Sequence, residues 1–112
     1  MADAKKPLSP LSLAILIALA ERELHGYALM QTIEEQTEGA LRPGTGTLYT
    51  ALDRLTTDGL IVDAGAPAEN RRRGRSYAIT PAGQAAARQE VGRLQRVVDL
   101  AQTRNLAPEG SR

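Results

Sequence analysis

Four arginines lie within five positions of the sequence, at Arg71, Arg72, Arg73 and Arg75. A guanidinium group is always charged, and its planar fork of N–H donors matches the oxygens of a phosphate. Arginine also gains from the negative potential of a narrow minor groove. The cluster therefore predicts contact with a nucleic-acid backbone, although a solvated run of charge has the same composition. Because the net charge of the chain is only +1, such a site must be local.

A second group of polar residues begins within the glycine-rich turn at 42–46 and continues after it: Thr45, Thr47, Tyr49, Thr50 and Arg54. The apolar residues Leu48, Ala51, Leu52 and Leu55 are spaced as one stripe of a helix, so the hydroxyl groups face away from the core. Hydroxyl groups, free N–H groups and the helix dipole at such an N-terminus all favour phosphate. The pattern predicts a recognition helix. An ordinary amphipathic helix with Tyr49 half buried is the alternative.

Catalytic chemistry has little support in the sequence. The chain contains no cysteine and a single histidine, His25, which stands in a predicted turn. Thiol nucleophiles and thiolate metal sites are therefore excluded, and one histidine with scattered carboxylates makes a weak metal site. The glycines at 44–46 lack the Gly-Lys-Ser/Thr ending of a phosphate-binding loop. We expect no enzyme, no catalytic residue, no metal and no cofactor.

A long helix is predicted from Pro81 to Asn105, and its apolar residues recur at intervals of 4, 3, 4 and 3. They are Ala87, Val91, Leu94, Val98 and Ala101. A helix of about 25 residues is about 37 Å long, which exceeds the width of a small head domain. The seam therefore predicts a homodimer in which the same helix of a second copy covers it. The alternative is a helix that folds back onto its own core and buries the same stripe.

The remaining pattern gives helices at about 10–23, 26–36 and 46–58, with a break at 24–26 between the first two. Two β-rich segments follow at 60–63 and 76–79. This order predicts a mainly α fold with a small β-hairpin: a winged helix-turn-helix at 1–80, a dimerisation helix at 81–105 and a disordered tail at 106–112. The longest apolar run, 13–20, is too short to span a bilayer, and the N-terminus lacks a secretion signal. We expect a cytoplasmic protein with no membrane partner.

Four blocks of sequence together resemble the PadR family of transcriptional regulators. They are HGYAL at 25–29, GTLYTALDRL at 46–55, DGLI at 58–61 and GRSYAITPAG at 74–83. The resemblance implies a DNA-binding winged helix, a C-terminal dimerisation helix and a repressor whose operator is an inverted repeat. It also implies that Tyr49 and its neighbours meet double-stranded DNA while the wing adds backbone contacts. A single helix after the wing is typical of the short subclass of the family.

One departure concerns the effector. Some short members of the family stack planar ligands on a tryptophan of the last helix, whereas this chain has no Trp and no Phe. The resemblance leaves room for a small-molecule effector but does not identify it. The alternative function is a winged-helix module that binds protein and not DNA, which the balanced net charge permits.

Overall fold

The computed structural model describes residues 7–65, 75–106 and 108. The elements are α1 (Pro10–Glu21), β1 (Leu24–His25), α2 (Gly26–Gln36), α3 (Thr45–Thr57), β2 (Ile61–Gly65), β3 (Ser76–Ile79) and α4 (Pro81–Thr103). The predicted fold class is confirmed: the chain is mostly helical and carries a small antiparallel sheet. The predicted disordered tail at 106–112 lies almost wholly outside the described residues.

Helix α1 is the centre of the domain because it is apolar on every face. The Ser9 hydroxyl caps it by accepting a hydrogen bond from the N–H of Ser12 at 3.0 Å, and Pro10 occupies its first turn. It contacts α2, α3, α4 and β3, and the side chains of Ile15 and Leu16 are fully buried. The helix ends at Glu21, two residues before the predicted end, because the backbone at Arg22 is already extended.

The predicted break between the first two helices is confirmed, but Leu24 and His25 within it form the short strand β1, which was not predicted. This strand pairs antiparallel with β3, with Leu24 opposite Tyr77 and His25 opposite Ser76. The sheet therefore has three strands in the order β1-β3-β2, one more than the predicted hairpin. A two-residue strand is too short to show a period of two, so its pairing partner alone defines it.

Several hydrogen bonds join α4 to the rest of the domain, residues 7–80, which we call the head. The Thr80 hydroxyl accepts from the N–H of Gly83 at 3.0 Å and donates to the carbonyl of Gly59 at 2.7 Å. The N–H of Thr80 donates to the carbonyl of Leu60 at 3.1 Å. A Cβ atom at Gly83 would lie 2.8 Å from Cγ1 of Ile79 and would collide with the Leu60 carbonyl. These contacts fix the direction in which α4 leaves the head.

Helix α4 packs on α1, and its buried residues lie in its first half. Gly83 and Glu90 are buried, and the Glu90 carboxylate accepts hydrogen bonds from the Arg93 guanidinium and from the N–H of Leu8 at 3.2 Å. The bond from Arg93 is the main reason why the pKa of Glu90 lies below its ordinary value. The helix ends two residues before the predicted Asn105, which takes the left-handed conformation after the helix, with φ of 60°. No helix in the described residues is long and apolar enough to cross a membrane.

Candidate nucleic-acid interface

The N-terminus of α3 is open to solvent. Gly44 precedes the helix without a side-chain cap, and Thr45, Gly46 and Thr47 of the first turn are all exposed. A Cβ atom placed on Gly44 or Gly46 would meet nothing within 4 Å, so this turn can approach another molecule closely. The first N–H groups of a helix have no acceptor inside the helix, and they attract anions together with the helix dipole. The turn therefore combines free N–H donors with two exposed hydroxyl groups.

The outward face of α3 continues the same polar surface. Thr47, Thr50 and Arg54 are exposed at positions i, i+3 and i+7, which places them on one side of the helix. Leu48, Leu52 and Leu55 on the opposite side are buried in the core. Arg54 forms no ion pair with any residue of the described part of the chain. The structure thus brings together the hydroxyl groups and the one cation that the sequence analysis selected on this helix.

Tyr49 takes the half-buried position that the sequence left as the alternative. Its ring packs against the core and covers Gly26 at the start of α2. An added Cβ atom at Gly26 would lie 2.7 Å from Cζ of Tyr49 and would collide with the hydroxyl group. Glycine at position 26 therefore lets α2 and α3 approach each other through this tyrosine.

This packing predicts that Gly26→Ala destabilises the domain by about 1–3 kcal/mol, because the ring must move away from the new methyl group. The midpoint of thermal unfolding, followed by circular dichroism, should fall by at least about 4 °C, since 1 kcal/mol shifts it by about 4–8 °C in a domain of this size. Gly46→Ala is the matched control, because the added methyl group faces open space. Equal midpoints for the two variants would contradict the packing argument.

The base of the wing is held by Asp63. A bulge separates Asp63 from Gly65, whose φ is 82°, and Oδ1 of Asp63 accepts from the N–H of Gly65 at 2.8 Å. Oδ2 of Asp63 accepts from Nη1 of Arg75 at 2.6 Å. The Ser76 hydroxyl donates to the carbonyl of Gly65 at 2.8 Å. Of the four predicted wing arginines, the structure therefore places Arg75 in an ion pair, while Arg71, Arg72 and Arg73 lie outside the described residues.

A buried phenol lies on the central strand of the sheet, β3. Tyr77 is 6% exposed, and burial is the main reason why its pKa is raised above its ordinary value. Tyr49, Asp63 and Asp53, when they are ionised, raise this pKa further by repelling the negative charge of the Tyr77 phenolate. Asp53 is exposed on α3, and Asp63 is exposed on β2. The sequence analysis gave neither carboxylate a role, because their effects on Tyr77 depend on how distant segments of the chain meet.

The sequence analysis missed an exposed tyrosine, Tyr27, which is hydrogen-bonded to Gln31. Tyr27 in the first turn of α2 is 64% exposed, and its hydroxyl accepts from Nε2 of Gln31 at 3.4 Å. Gly26, directly before it, lies under the Tyr49 ring, so Tyr27 lies near α3. The available signal was that Tyr27 falls outside the apolar stripe of Leu29 and Ile33 and so must face solvent.

His25 has one buried ring nitrogen. Its Nδ1 atom is buried and has no hydrogen-bond partner among the described residues. In the part of the chain that the structure describes, no three His, Asp or Glu side chains come close enough together to hold a metal ion.

The predicted dimerisation seam divides into two parts. Ala87 packs against the core of its own chain, as the fold-back alternative requires. Val91, Leu94 and Val98 are exposed by 47%, 37% and 42%, as is expected of a seam that awaits a partner. Val97 and Leu100, which the heptad pattern left out, are also exposed. We call these five exposed residues the α4 stripe. Ala101, the last residue of the predicted seam, is half buried.

A groove of about 410 Å³ lies beside the α4 stripe, between α1, the end of α2 and α4. Its walls include Leu8, Leu13, Ile17 and Leu94, and Glu90 and Arg93 are its charged residues. Ile17 of α1 is 47% exposed there, so the apolar surface continues from α4 onto α1.

Three helices, with an exposed polar face on the third and an antiparallel hairpin next to it, define a winged helix-turn-helix domain. The profile of the transcriptional regulator PadR-like family matches residues 15–89. The chain belongs to that family, as the four sequence blocks indicated. Its members are regulators of transcription and not enzymes.

Relatives and solved structures agree with this assignment. The transcriptional regulator Rv3488 of Mycobacterium tuberculosis is 43% identical over 74 residues, which cover 66% of this chain and 65% of that protein. An uncharacterised protein in transposon TN4556 of Streptomyces fradiae is 42% identical over 69 residues, 62% of this chain and 18% of that protein. The chain thus spans less than two thirds of either relative.

Two solved structures share the fold. A transcriptional regulator from Clostridium thermocellum superposes with a TM-score of 0.72 at 25% identity. The superposition covers 83% of this chain and 87% of the chain of that regulator. RosR of H. salinarum superposes with a TM-score of 0.64 at 27% identity. The superposition covers 87% of this chain and 79% of the RosR chain. Both similarities extend beyond the head, since residues 7–80 make up well under 83% of the chain.

Proposed function

We propose that the chain is a DNA-binding transcriptional repressor that acts as a homodimer on an inverted-repeat operator. The observation that carries the proposal is the open first turn of α3, where free N–H groups and threonine hydroxyls share one exposed face with Arg54. A recognition helix enters the major groove with its N-terminal residues, and this end of α3 has the shape and the donors for that approach.

The proposed DNA contacts fall into two groups. Thr45, Thr47, Thr50 and Arg54 contact the groove and its phosphates, and Tyr49 adds the free edge of its half-buried ring. Arg71, Arg72 and Arg73 of the wing contact the backbone or a narrow minor groove. The exposed face of α3 has no Asn, Gln or Lys, so most of these contacts position the protein, and the shape of the DNA contributes to the choice of sequence.

The proposed homodimer forms along the α4 stripe. Five large aliphatic side chains exposed on one helix are unusual for a monomer, and an apolar surface of this kind is typical of an interaction site. A twofold axis lets the same stripe cover itself in a second copy. Because α4 is fixed to the head through Thr80 and Gly83, the dimer sets the separation of the two α3 helices, which an operator requires at about 34 Å.

A small-molecule effector that releases the operator would have the groove beside the α4 stripe as its site. Leu8, Leu13 and Ile17 give this groove aliphatic walls, and α4 offers no aromatic ring on which a planar ligand could stack. The site therefore favours an aliphatic ligand over a planar aromatic one.

The proposal is tested with the purified chain, a labelled duplex from its own upstream region and a random duplex of equal length. Fluorescence anisotropy should show salt-dependent binding to both duplexes and tighter binding to the upstream duplex, and sedimentation should show a dimer. Failure to bind either duplex at about 50 mM salt, where phosphate contacts are strong, would remove the proposal. It would favour the alternative, a winged-helix module that binds another protein.

A further inference from the structure

We propose that Asp63 is a built-in counter-charge that cancels Arg75 at the base of the wing, so that this arginine adds no net attraction for phosphate. The inference rests on the proposed DNA binding and deepens it, because it separates the four wing arginines into three that attract the duplex and one that does not.

The geometry of the pair is the first argument. The Arg75 guanidinium lies 2.6 Å from Oδ2 of Asp63, although twelve positions separate the two residues in the sequence. The side chains are exposed by 67% and 32%, so a phosphate that reaches Arg75 also comes within reach of Asp63. Oδ1 of Asp63 accepts from the N–H of Gly65 within β2, and this second bond keeps the carboxylate at its place in the bulge.

The electrostatics follow from that fixed position. A phosphate near Arg75 meets a cation and an anion that lie much closer together than the Debye length, which is about 8–10 Å at physiological ionic strength. The repulsion by the carboxylate then offsets most of the attraction by the guanidinium. The salt dependence of DNA binding reports the number of phosphates that the protein neutralises, so a cancelled pair contributes little to it.

The surroundings of the pair strengthen the argument. Arg54 and Arg75 are the cations that the structure describes on α3 and at the wing base, and Arg75 alone of these two is paired with a carboxylate. The charge of Arg75 is thus offset by Asp63, while the contacts of α3 are left intact.

The test compares the salt dependence of binding to a random duplex for four proteins: the unaltered chain, Asp63→Asn, Arg75→Gln and the double variant. Asparagine keeps the acceptor for the Gly65 N–H and removes only the charge. Asp63→Asn should bind more tightly and steepen the slope of log affinity against log salt by about 0.9, one phosphate contact. Its advantage should then be about 3.5-fold greater at 50 mM than at 200 mM salt.

The two arginine variants separate this inference from a simple phosphate contact. The double variant removes both charges and should have the slope of the unaltered chain, whereas Arg75→Gln alone leaves the Asp63 carboxylate uncompensated and should bind less tightly than the unaltered chain. Glu35→Gln is the matched control, since it removes one exposed negative charge at the end of α2 that borders the α1–α4 groove. Circular dichroism verifies that each variant is folded.

Three results would overturn the inference. The first is a slope for Asp63→Asn equal to that of the unaltered chain. The second is a slope for the double variant that is shallower than that of the unaltered chain by about 0.9, which would show that Arg75 contacts a phosphate directly although Asp63 is beside it. The third is an unaltered chain that ignores DNA, and it alone also overturns the proposed function.

Discussion

Leu94→Glu should convert the dimer into a folded monomer and reduce operator affinity by about 10²- to 10⁴-fold, the factor that the second linked half-site supplies. Leu94 lies at the middle of the α4 stripe and is 37% exposed in the single chain. In a symmetric dimer the two introduced carboxylates would face each other in an apolar interface, where neither has a partner. Sedimentation equilibrium measures the loss of the dimer, and anisotropy with the operator duplex measures the loss of affinity.

The control for this variant is Gln89→Glu, which adds the same charge at an exposed position of α4 outside the stripe. It should leave both the dimer and the operator affinity unchanged. A monomeric Leu94→Glu with full operator affinity would show that one head suffices for binding. A variant that remains dimeric would show that the copies associate through another surface.

The helices could be predicted because their signals in the sequence are local. Ser9 with Pro10 and Thr80 with Pro81 mark the first turns of α1 and α4, and both hydroxyl groups act as caps in the structure. The stripe of Leu48, Leu52 and Leu55 likewise placed the inner face of α3 correctly. Local signals suffice for these elements because the hydrogen bonds that define them join residues close in sequence.

The sheet and the seam could be predicted only in part, because long-range contacts decide both. Strand β1 exists only through its pairing with β3, about fifty residues later in the chain. The heptad pattern of α4 treats Ala87 and Val91 alike, yet Ala87 packs against the core while Val91 stays exposed. The spacing of apolar residues shows which residues share a face of the helix. It does not show where along the helix the packing against the core ends.

The site shows the same division. The exposed positions of Thr47, Thr50 and Arg54 follow from the apolar stripe of α3 alone. The contact of Tyr49 with Gly26 and the pairing of Arg75 with Asp63 depend on how two distant segments meet, and the second also needs the bulge at Gly65. The sequence contained each of these residues without showing which of them touch.

Replacing Arg71, Arg72 and Arg73 together by Gln should weaken binding to every duplex and flatten the slope of log affinity against log salt by about 2.7, at about 0.9 for each phosphate that the wing no longer neutralises. The reason is that these three arginines are consecutive, with no acidic residue between them. Arg75, in contrast, is paired with Asp63. Binding to the operator duplex and to a random duplex should weaken by similar factors, because backbone contacts carry no sequence information. Anisotropy titrations at several salt concentrations between about 50 and 200 mM measure both slopes.

The control for the wing is the triple variant in which Arg88, Arg96 and Arg104 become Gln. It removes the same total charge from exposed positions along and just after α4, outside the hairpin. Because charges beyond a Debye length of the duplex are largely screened, this variant should keep a slope close to that of the unaltered chain. An unchanged slope for the wing variant would remove the wing from the interface. An equal flattening in both triple variants would mean that DNA binding depends on the overall charge of the protein. A local contact would instead make the effect depend on which arginines are replaced.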